Sequence, residues 1–205
     1  MKVLLINGSP NKDGCTYTAL MEVASTLEAN DVTTEMFHIG QGAQRGCIGC
    51  GKCREIKKCV FDGDMCNELA EKIKEADGIV VGSPVYYAGP NGALCALLDR
   101  VFFSNHGGFK HKVAACVVSC RRGGASASYD RLNKYFTISQ MPVVSSQYWN
   151  AVHGNEPEEV KRDLEGLQIM RTLGSNMAWL IKNIKSGNPP PEPEKERFHT
   201  NFIRD

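Results

Sequence analysis

Four cysteines within a short segment are the residues of this chain best suited to carry chemistry. Cys47, Cys50 and Cys53 are separated by two residues each, and Cys59 follows after five more. Glycines beside and between them let the backbone turn sharply and direct N–H groups at sulfur. Thiolates at this spacing can ligate an iron–sulfur cluster, and the single set predicts at most one cluster.

Two other fates of these cysteines stay open. Zinc sites usually use two well-separated cysteine pairs, which this segment lacks, so zinc is the weaker alternative. The thiols can also stay free or form a reversible disulfide. Lys52, Arg54, Lys57 and Lys58 surround them. If these cations only form an ordinary solvated surface, they indicate no function. Beside a cluster they would offset its negative charge and attract an acidic electron donor.

Composition narrows the class of protein. The 205 residues suffice for one well-packed α/β domain, and the net charge of +1 gives no reason to expect nucleic acid as a partner. We expect Met1 to open a first strand, because the apolar run behind it is too short for a signal peptide or a membrane span. Nine cysteines without a secretory signal predict a cytoplasmic protein.

Apolar segments alternate between strand-like and helix-like spacing. In chain order we predict the strand Lys2–Asn7, the helix Thr16–Ala29, the strand Val32–Ile39, the helix Asn67–Glu75, the strand Gly78–Gly82, the helix Gly92–Phe103, the strand Val113–Ser119, a helix from about Ser128, the strand Val143–Trp149 and the helix Pro157–Ile184. Continuously apolar strands alternating with helices predict a parallel sheet covered on both faces. Any ligand would then lie at the carboxyl ends of the strands.

The chain changes character after Lys185. Gly187–Pro193 is rich in proline and predicts an extended, stiff segment. Phe198, Phe202 and Ile203 follow it, and three large apolar side chains need a surface to cover them. We therefore predict that this tail contacts another subunit.

The loop between the first strand and the first helix predicts a phosphate site. Ser9, Asn11, Thr16 and Thr18 offer hydroxyl and amide groups, and the loop leads into a helix N-terminus. The dinucleotide and Walker fingerprints are both absent from it. The alternative is an ordinary turn in which Thr16 merely caps the helix.

Two further loops follow later strands. Gly82–Gly92 is stiffened by two prolines and presents Tyr86 and Tyr87, which could grip a flat ring system. The alternative is that they pack as core, and we expect one of the two tyrosines to do so. Ser119–Gly124 combines flexible glycines with hydrogen-bond donors. Three such loops at one edge predict the ligand crevice of an open α/β sheet.

These motifs together resemble a known family. The Gly-Ser-Pro opening, the Gly-Ser-Pro-Val-Tyr-Tyr loop and the Asp99-Arg100 pair resemble the NADPH-dependent FMN reductase branch of the flavodoxin-like superfamily. With the cysteine motif added, the chain most closely resembles the iron–sulfur flavoproteins of anaerobic bacteria and archaea. The resemblance implies a doubly wound, five-stranded parallel sheet of order 2-1-3-4-5, formed by residues 1–184 with a cysteine-rich loop at 46–60. Residues 185–205 would form the tail.

The resemblance also implies cofactors and the residues that hold them. FMN would contact the three loops through Ser9, Asn11, Thr16, Tyr17, Thr18, Pro84, Val85, Tyr86, Tyr87, Gly89, Ser119, Arg121 and Gly124. A 4Fe-4S cluster would be ligated by Cys47, Cys50, Cys53 and Cys59. The connection after the second strand, which contains them, also opens at the carboxyl edge of the sheet, so we expect the cluster on the flavin's side of the domain, beside its own FMN or one across a subunit interface. NAD(P)H or ferredoxin would supply electrons.

We therefore predict a cytoplasmic FMN-dependent oxidoreductase that passes electrons to a small oxidised acceptor and works as a homodimer or homotetramer. The flavin carries the chemistry, so no side chain is named as a catalytic acid, base or nucleophile. Three alternatives stay open: a cluster-free NAD(P)H-dependent FMN or quinone reductase, a flavodoxin-like electron carrier, and a thiol redox sensor.

Overall fold

A twisted parallel sheet forms the centre of the molecule in the computed structural model, which describes residues 1–187, 189–192 and 200. Its strands are β1 (Lys2–Asn7), β2 (Thr33–His38), β3 (Gly78–Tyr86), β5 (Val113–Cys120) and β6 (Ala151–His153), with a short β4 (Gly89–Pro90) paired antiparallel to β3. The strand order is β2-β1-β3-β5-β6. Counting the five parallel strands alone, this is the predicted order 2-1-3-4-5, so the predicted fold is confirmed.

Helices cover both faces of the sheet. They are α1 (Cys15–Glu28), α2 (Cys53–Ile56), α3 (Cys66–Glu75), α4 (Gly92–Ser104), α5 (Ala125–Ile138), α6 (Pro157–Val160) and α7 (Leu164–Lys185). Apolar residues at helical spacing, such as Leu20 and Val23, bury α1 with α7 against one face. On the other face α3, α4 and α5 contribute residues such as Ile73, Leu97 and Phe136 to a second core.

The predicted fifth strand, Val143–Trp149, is wrong. Its first residue forms only an isolated bridge with Ala114, and the strand that completes the sheet is β6, further along the chain. Side chains take the backbone bonds in between, since the Ser146 hydroxyl donates to the Tyr148 carbonyl at 2.6 Å. The buried Asn150 Nδ2 donates to the Cys116 carbonyl at 3.1 Å. The apolar run therefore crosses the edge of the sheet instead of extending it.

The predicted long helix Pro157–Ile184 is divided in two. Residues 161–163 separate α6 from α7, and the Asp163 side chain begins α7 by accepting a hydrogen bond from the Gly166 N–H at 2.9 Å. The same carboxylate accepts from the His153 N–H at 2.7 Å, which ties the new helix start to the end of β6. Because an N-cap residue has non-helical backbone angles, Asp163 separates α6 from α7.

A three-residue ion cluster joins β2 to its neighbours. The Glu35 carboxylate lies between the ammonium groups of Lys2 on β1 and Lys72 on α3. Hydrogen bonds from Lys2 first, and then from Lys72, hold the pKa of Glu35 below its ordinary value. The charged form of Glu35 therefore stabilises this edge of the sheet.

No helix among the described residues combines the length and the hydropathy needed to cross a membrane. Of the predicted tail, Phe198, Phe202 and Ile203 lie outside the described residues. The predicted role of the tail in assembly stays a prediction.

Candidate functional site

The first loop is tied to the neighbouring strand and to itself. The Gly8 N–H donates to the Gly82 carbonyl at 2.8 Å, so the loop leaves β1 against β3. A side chain at Gly8 would meet that carbonyl at 2.7 Å, which explains the glycine. Asn7 Oδ1 accepts from the Ser9 N–H, and the Ser9 hydroxyl accepts from the Asn11 N–H, both at 3.1 Å. These bonds fix the curve of the loop ahead of α1.

Helix α1 begins with free backbone donors. Its N-cap is Gly14, which supplies no side-chain hydrogen bond, and its first turn contains no acidic residue. The alternative in which Thr16 caps the helix is therefore wrong. The first N–H groups of a helix have no partner within it, and here they share the positive end of the helix dipole. Ser9, Tyr17 and Thr18 lie around this end, which can receive a phosphate.

A buried hydroxyl pair joins the first loop to the third. Thr16 Oγ1 lies 2.8 Å from Ser119 Oγ, and both residues are buried. Ser119 lies at the carboxyl end of β5, just before the loop that contains Arg121 and Gly124. Thr16 thus connects the first turn of α1 to the start of the third loop.

Asn91 joins the first loop to the second. Its Nδ2 donates to the Gly8 carbonyl at 2.7 Å, and its N–H donates to the Ser83 hydroxyl at 2.9 Å. Its Oδ1 accepts from the Ala93 N–H at 2.9 Å and caps α4. Sequence reasoning missed this residue, although an asparagine before a predicted helix start is an N-cap signal.

The second loop folds back as a tight hairpin. β3 ends at Tyr86, and Tyr87 and Ala88 adopt left-handed φ values of 49° and 58° before β4 returns. Tyr86 is 46% exposed and Tyr87 is fully exposed. The alternative in which one tyrosine packs as core is therefore wrong, and both rings are available to a ligand or partner.

The third loop touches the tip of this hairpin. Gly124 has a φ of +91°, and a Cβ there would lie 2.5 Å from the Ala88 Cα. Only glycine permits both this conformation and this approach. The three loops consequently form one closed set, joined in pairs by Asn91, by Thr16 and by Gly124.

The structure brings the predicted FMN residues together at one edge of the sheet. They lie in the first loop and the first turn of α1, at the carboxyl ends of β3 and β5, and in the turn, β4 and the loop that follow these strands: Ser9, Asn11, Thr16, Tyr17, Thr18, Pro84, Val85, Tyr86, Tyr87, Gly89, Ser119, Arg121 and Gly124. Asn11, Tyr86, Tyr87 and Arg121 are exposed, whereas Ser9, Thr16 and Ser119 are buried. The buried members shape the loops, and the exposed ones are free to meet a ligand.

The four predicted cluster ligands line a second, separate cavity. Cys47 and Cys50 are exposed, Cys53 is half-buried and Cys59 is buried, yet all four face the same space. Gly49 and Gly51 adopt left-handed φ values of 65° and 70°, as the predicted sharp turns require. The loop is thus folded around its cysteines.

The four cysteine thiols are ligands of the kind that an iron–sulfur cluster uses. Among the described residues, no three His, Cys, Asp or Glu side chains converge closely enough to hold a single metal ion. A cluster of several irons spreads its thiolate ligands more widely than one tetrahedral ion does. Four cysteines around one mainly apolar cavity, with buried N–H donors directed at sulfur, match that need.

The donor at the back of this cavity is Arg100. Its side chain is 1% exposed, and its Nε and Nη2 donate to Cys59 Sγ at 3.4 and 3.2 Å. Burial raises the pKa of the adjacent Cys66 thiol to about 12, so Cys66 is a protonated packing group. In the sequence Arg100 belongs only to the Asp99-Arg100 motif, and nothing in its spacing connects it to the cysteines.

The cavity does not lie where the sequence placed it. Its lining includes Arg100, Phe103 and Ser104, from the last turns of α4, whereas the flavin loops meet Asn91 at the start of that helix. Ser104 follows Asn91 by 13 residues, which is about 20 Å along an α-helix. The expectation that the cysteines lie at the carboxyl edge is wrong, because the loop after β2 runs back along α4 to reach Arg100.

Comparisons with known proteins agree with this architecture. The family model of NADPH-dependent FMN reductase matches residues 1–156. An iron-sulfur flavoprotein of Methanocaldococcus jannaschii is 34% identical over 193 residues, covering 90% of this chain and 100% of that one. Another, from Methanosarcina thermophila, is 29% identical over 190 residues, with 90% and 97% covered.

The fold has solved counterparts. The structure of RosB with a bound 8-demethyl-8-formylriboflavin-5'-phosphate intermediate gives a TM-score of 0.70 at 16% identity, covering 100% of this chain and 94% of that one. At this identity the likeness concerns the fold alone. The matched family and the relatives confirm the predicted resemblance: the chain belongs to the NADPH-dependent FMN reductase family and is a flavin-dependent oxidoreductase related to the iron-sulfur flavoproteins.

Proposed function

We propose that this protein binds FMN and one 4Fe-4S cluster and passes electrons from ferredoxin or NAD(P)H to a small oxidised acceptor. The observation that carries the proposal is the pairing of two sites in one chain. Three linked loops meet at the start of α4, and a cavity lined by four cysteines lies along its last turns.

The flavin site would be formed by the three linked loops. The N–H groups that open α1, with the Ser9 and Thr18 hydroxyls, would hold the phosphate. The hairpin of Tyr86 and Tyr87 and the loop of Arg121 would border the ring system. When bound, FMN exchanges electrons singly or in pairs, and a cluster exchanges them one at a time. The residues of this chain bind and orient these groups and keep their surroundings fixed.

The separation of the two sites supports a homodimer or homotetramer. Within one chain they lie at opposite ends of α4, while Cys47 and Cys50 are exposed and open to a neighbour. In such an assembly the cysteine cavity of one subunit would face the flavin loops of another. Subunits carrying Cys50→Ser, mixed with subunits carrying Ser9→Ala and Thr16→Ala, would then regain electron transfer in hybrids. Hybrids without recovered activity would contradict the arrangement.

A basic surface beside the cysteines supports an acidic protein as the one-electron donor. Lys52, Arg54 and Lys57 are exposed, and a cleft of about 570 Å³ continues this surface past Phe103. Charge reversal at Arg54 and Lys57 should slow reduction by ferredoxin in a salt-dependent way and leave reduction by NADPH unchanged. Lys134→Glu, on the exposed face of α5, is the matched control. Equal effects of both changes would exclude this surface as the docking site.

The deciding experiment is an iron, sulfide and FMN assay on protein purified without oxygen. We expect one FMN and one cluster per chain. Cys50→Ser should lose iron and keep FMN, whereas Cys95→Ser, a half-buried cysteine on α4, should keep both. Replacing Ser9 and Thr16 with alanine should weaken FMN binding without loss of iron.

Wild-type protein without iron or sulfide would refute the cluster. The function would then be that of a cluster-free NAD(P)H-dependent FMN or quinone reductase. Air-sensitive thiols without bound iron would instead support the thiol redox sensor. Unchanged FMN affinity in the double alanine variant would refute the phosphate site.

A further inference from the structure

We infer that Arg100 is a positioning residue with two roles: it closes the cysteine loop onto α4, and its positive charge, held against the Cys59 sulfur by two N–H contacts, sets the reduction potential of the cluster. The inference rests on the proposed function, because it presupposes a cluster in the cysteine cavity. It concerns a residue of the fold's own helix and not one of the thiol ligands.

The first observation is the contact with sulfur. Arg100 Nε and Nη2 lie 3.4 and 3.2 Å from Cys59 Sγ, within the range of hydrogen bonds to sulfur. The guanidinium is almost wholly removed from water, with its side chain 1% exposed. Donors directed at a ligating sulfur favour the more negative, reduced state of a cluster.

The second observation is that the same guanidinium holds both limbs of the loop. Nη1 donates to the carbonyl of Arg45, which precedes the first cysteine, at 3.4 Å. Nη2 donates to the carbonyl of Phe61, which follows the last cysteine, also at 3.4 Å. The Asp64 carboxylate completes the set, with contacts of 2.5 Å to Nη1 and 3.1 Å to Nη2. Only arginine offers a planar fork with enough donors for these partners.

The charges around the cavity give the sign of the effect. Reduction adds an electron to a centre that already carries four thiolates, so a nearby cation favours reduction and a nearby anion opposes it. Asp64 opposes Arg100, but its side chain is 23% exposed and water screens its charge more strongly than that of the arginine. The net influence of the pair is therefore that of the cation.

These signs define the test on protein prepared without oxygen. Arg100→Gln should shift the cluster midpoint potential to more negative values, and Asp64→Asn should shift it to more positive values. Arg100→Lys keeps the charge and loses the fork, so it should hold a potential near that of the wild type while releasing iron to a chelator faster. Potentials are read by redox titration followed with electron paramagnetic resonance, and the FMN potential serves as the internal reference.

The outcomes separate the two proposals. Wild-type protein without iron removes the proposed function, and this inference with it. A wild-type cluster whose potential is unchanged in both Arg100→Gln and Asp64→Asn overturns the inference alone. If Arg100→Gln cannot retain a cluster, the sign of the shift in Asp64→Asn decides. A purely structural role would speed iron loss in both variants without shifts of opposite sign.

Discussion

Replacing Asn91 with alanine should detach the first loop of the flavin site from the start of α4. The side chain is buried and makes two bonds of different purpose: Oδ1 caps α4, and Nδ2 holds the Gly8 carbonyl of the first loop. The variant would lose both at once. It would keep every residue that is expected to touch FMN.

The magnitude follows from these two bonds. Loss of an asparagine N-cap costs about 1 kcal/mol. The buried Gly8 carbonyl, left without this donor, costs about 1–3 kcal/mol more. We therefore expect the free energy of unfolding to fall by about 2–4 kcal/mol. Binding FMN would require the loop to be ordered again, and about 1.4 kcal/mol of that cost weakens the affinity tenfold.

The assay is urea unfolding of the apoprotein, combined with a fluorescence titration of FMN. Apoprotein is required because bound ligand adds its own stabilisation. Asn91→Ser is the matched control, since serine also caps helices but cannot reach Gly8 with an amide. It should recover the capping share of the stability and not the affinity.

Two results would refute this reasoning. If Asn91→Ser binds FMN as tightly as the wild type, the bond to Gly8 does not organise the first loop. If Asn91→Ala unfolds at the wild-type urea concentration, neither bond contributes as the structure indicates.

Three other changes test separate parts of the fold. Gly124→Ala forces a left-handed alanine against Ala88 and should weaken FMN binding at least tenfold, at a backbone cost of about 1–2 kcal/mol. Gly123→Ala is the control, because a side chain there meets open space and should leave FMN binding unchanged. Equal FMN affinities of the two variants would contradict the contact between Gly124 and Ala88. Thr16→Val removes the buried hydroxyl bond to the third loop and should cost about 1 kcal/mol of FMN binding, seen as roughly fivefold in the titration. The lowered pKa of Glu35 means that its stabilising charge is complete above about pH 4.3, its ordinary pKa, and is lost as pH falls through the lowered value. Urea unfolding between about pH 5 and pH 3 should therefore show a smaller acid loss in Glu35→Gln than in the wild type, and parallel curves would contradict this.

Local signals in the sequence predicted the sheet and the three loops. Continuously apolar strands and the glycines and prolines behind them are set by backbone geometry near each residue. The strand Val143–Trp149 failed because apolar spacing does not reveal that the Ser146 and Asn150 side chains take up backbone partners.

The connections that hold the two sites together could not be predicted in this way. Asn91 bonds to Gly8 across 83 residues, and Arg100 bonds to Cys59 across 41. Both are contacts that exist only once the sheet has ordered its loops. For the same reason the sequence placed the cysteines at the wrong end of α4, since the direction of a long connection depends on a partner that lies elsewhere in the chain.

The segment that contains the cysteines contributes little to the two apolar cores, so it can be exchanged with few changes elsewhere. Between Ile39 and Cys59, no residue of this described segment belongs to either apolar core. A chain shortened within this interval should therefore still form its flavodoxin-like sheet. If the shortening is extended through Cys59 and Asp64, however, the buried guanidinium of Arg100 loses these partners, which is costly. Removing or transplanting the loop thus requires a change at one distant helix position, and the two must be exchanged together.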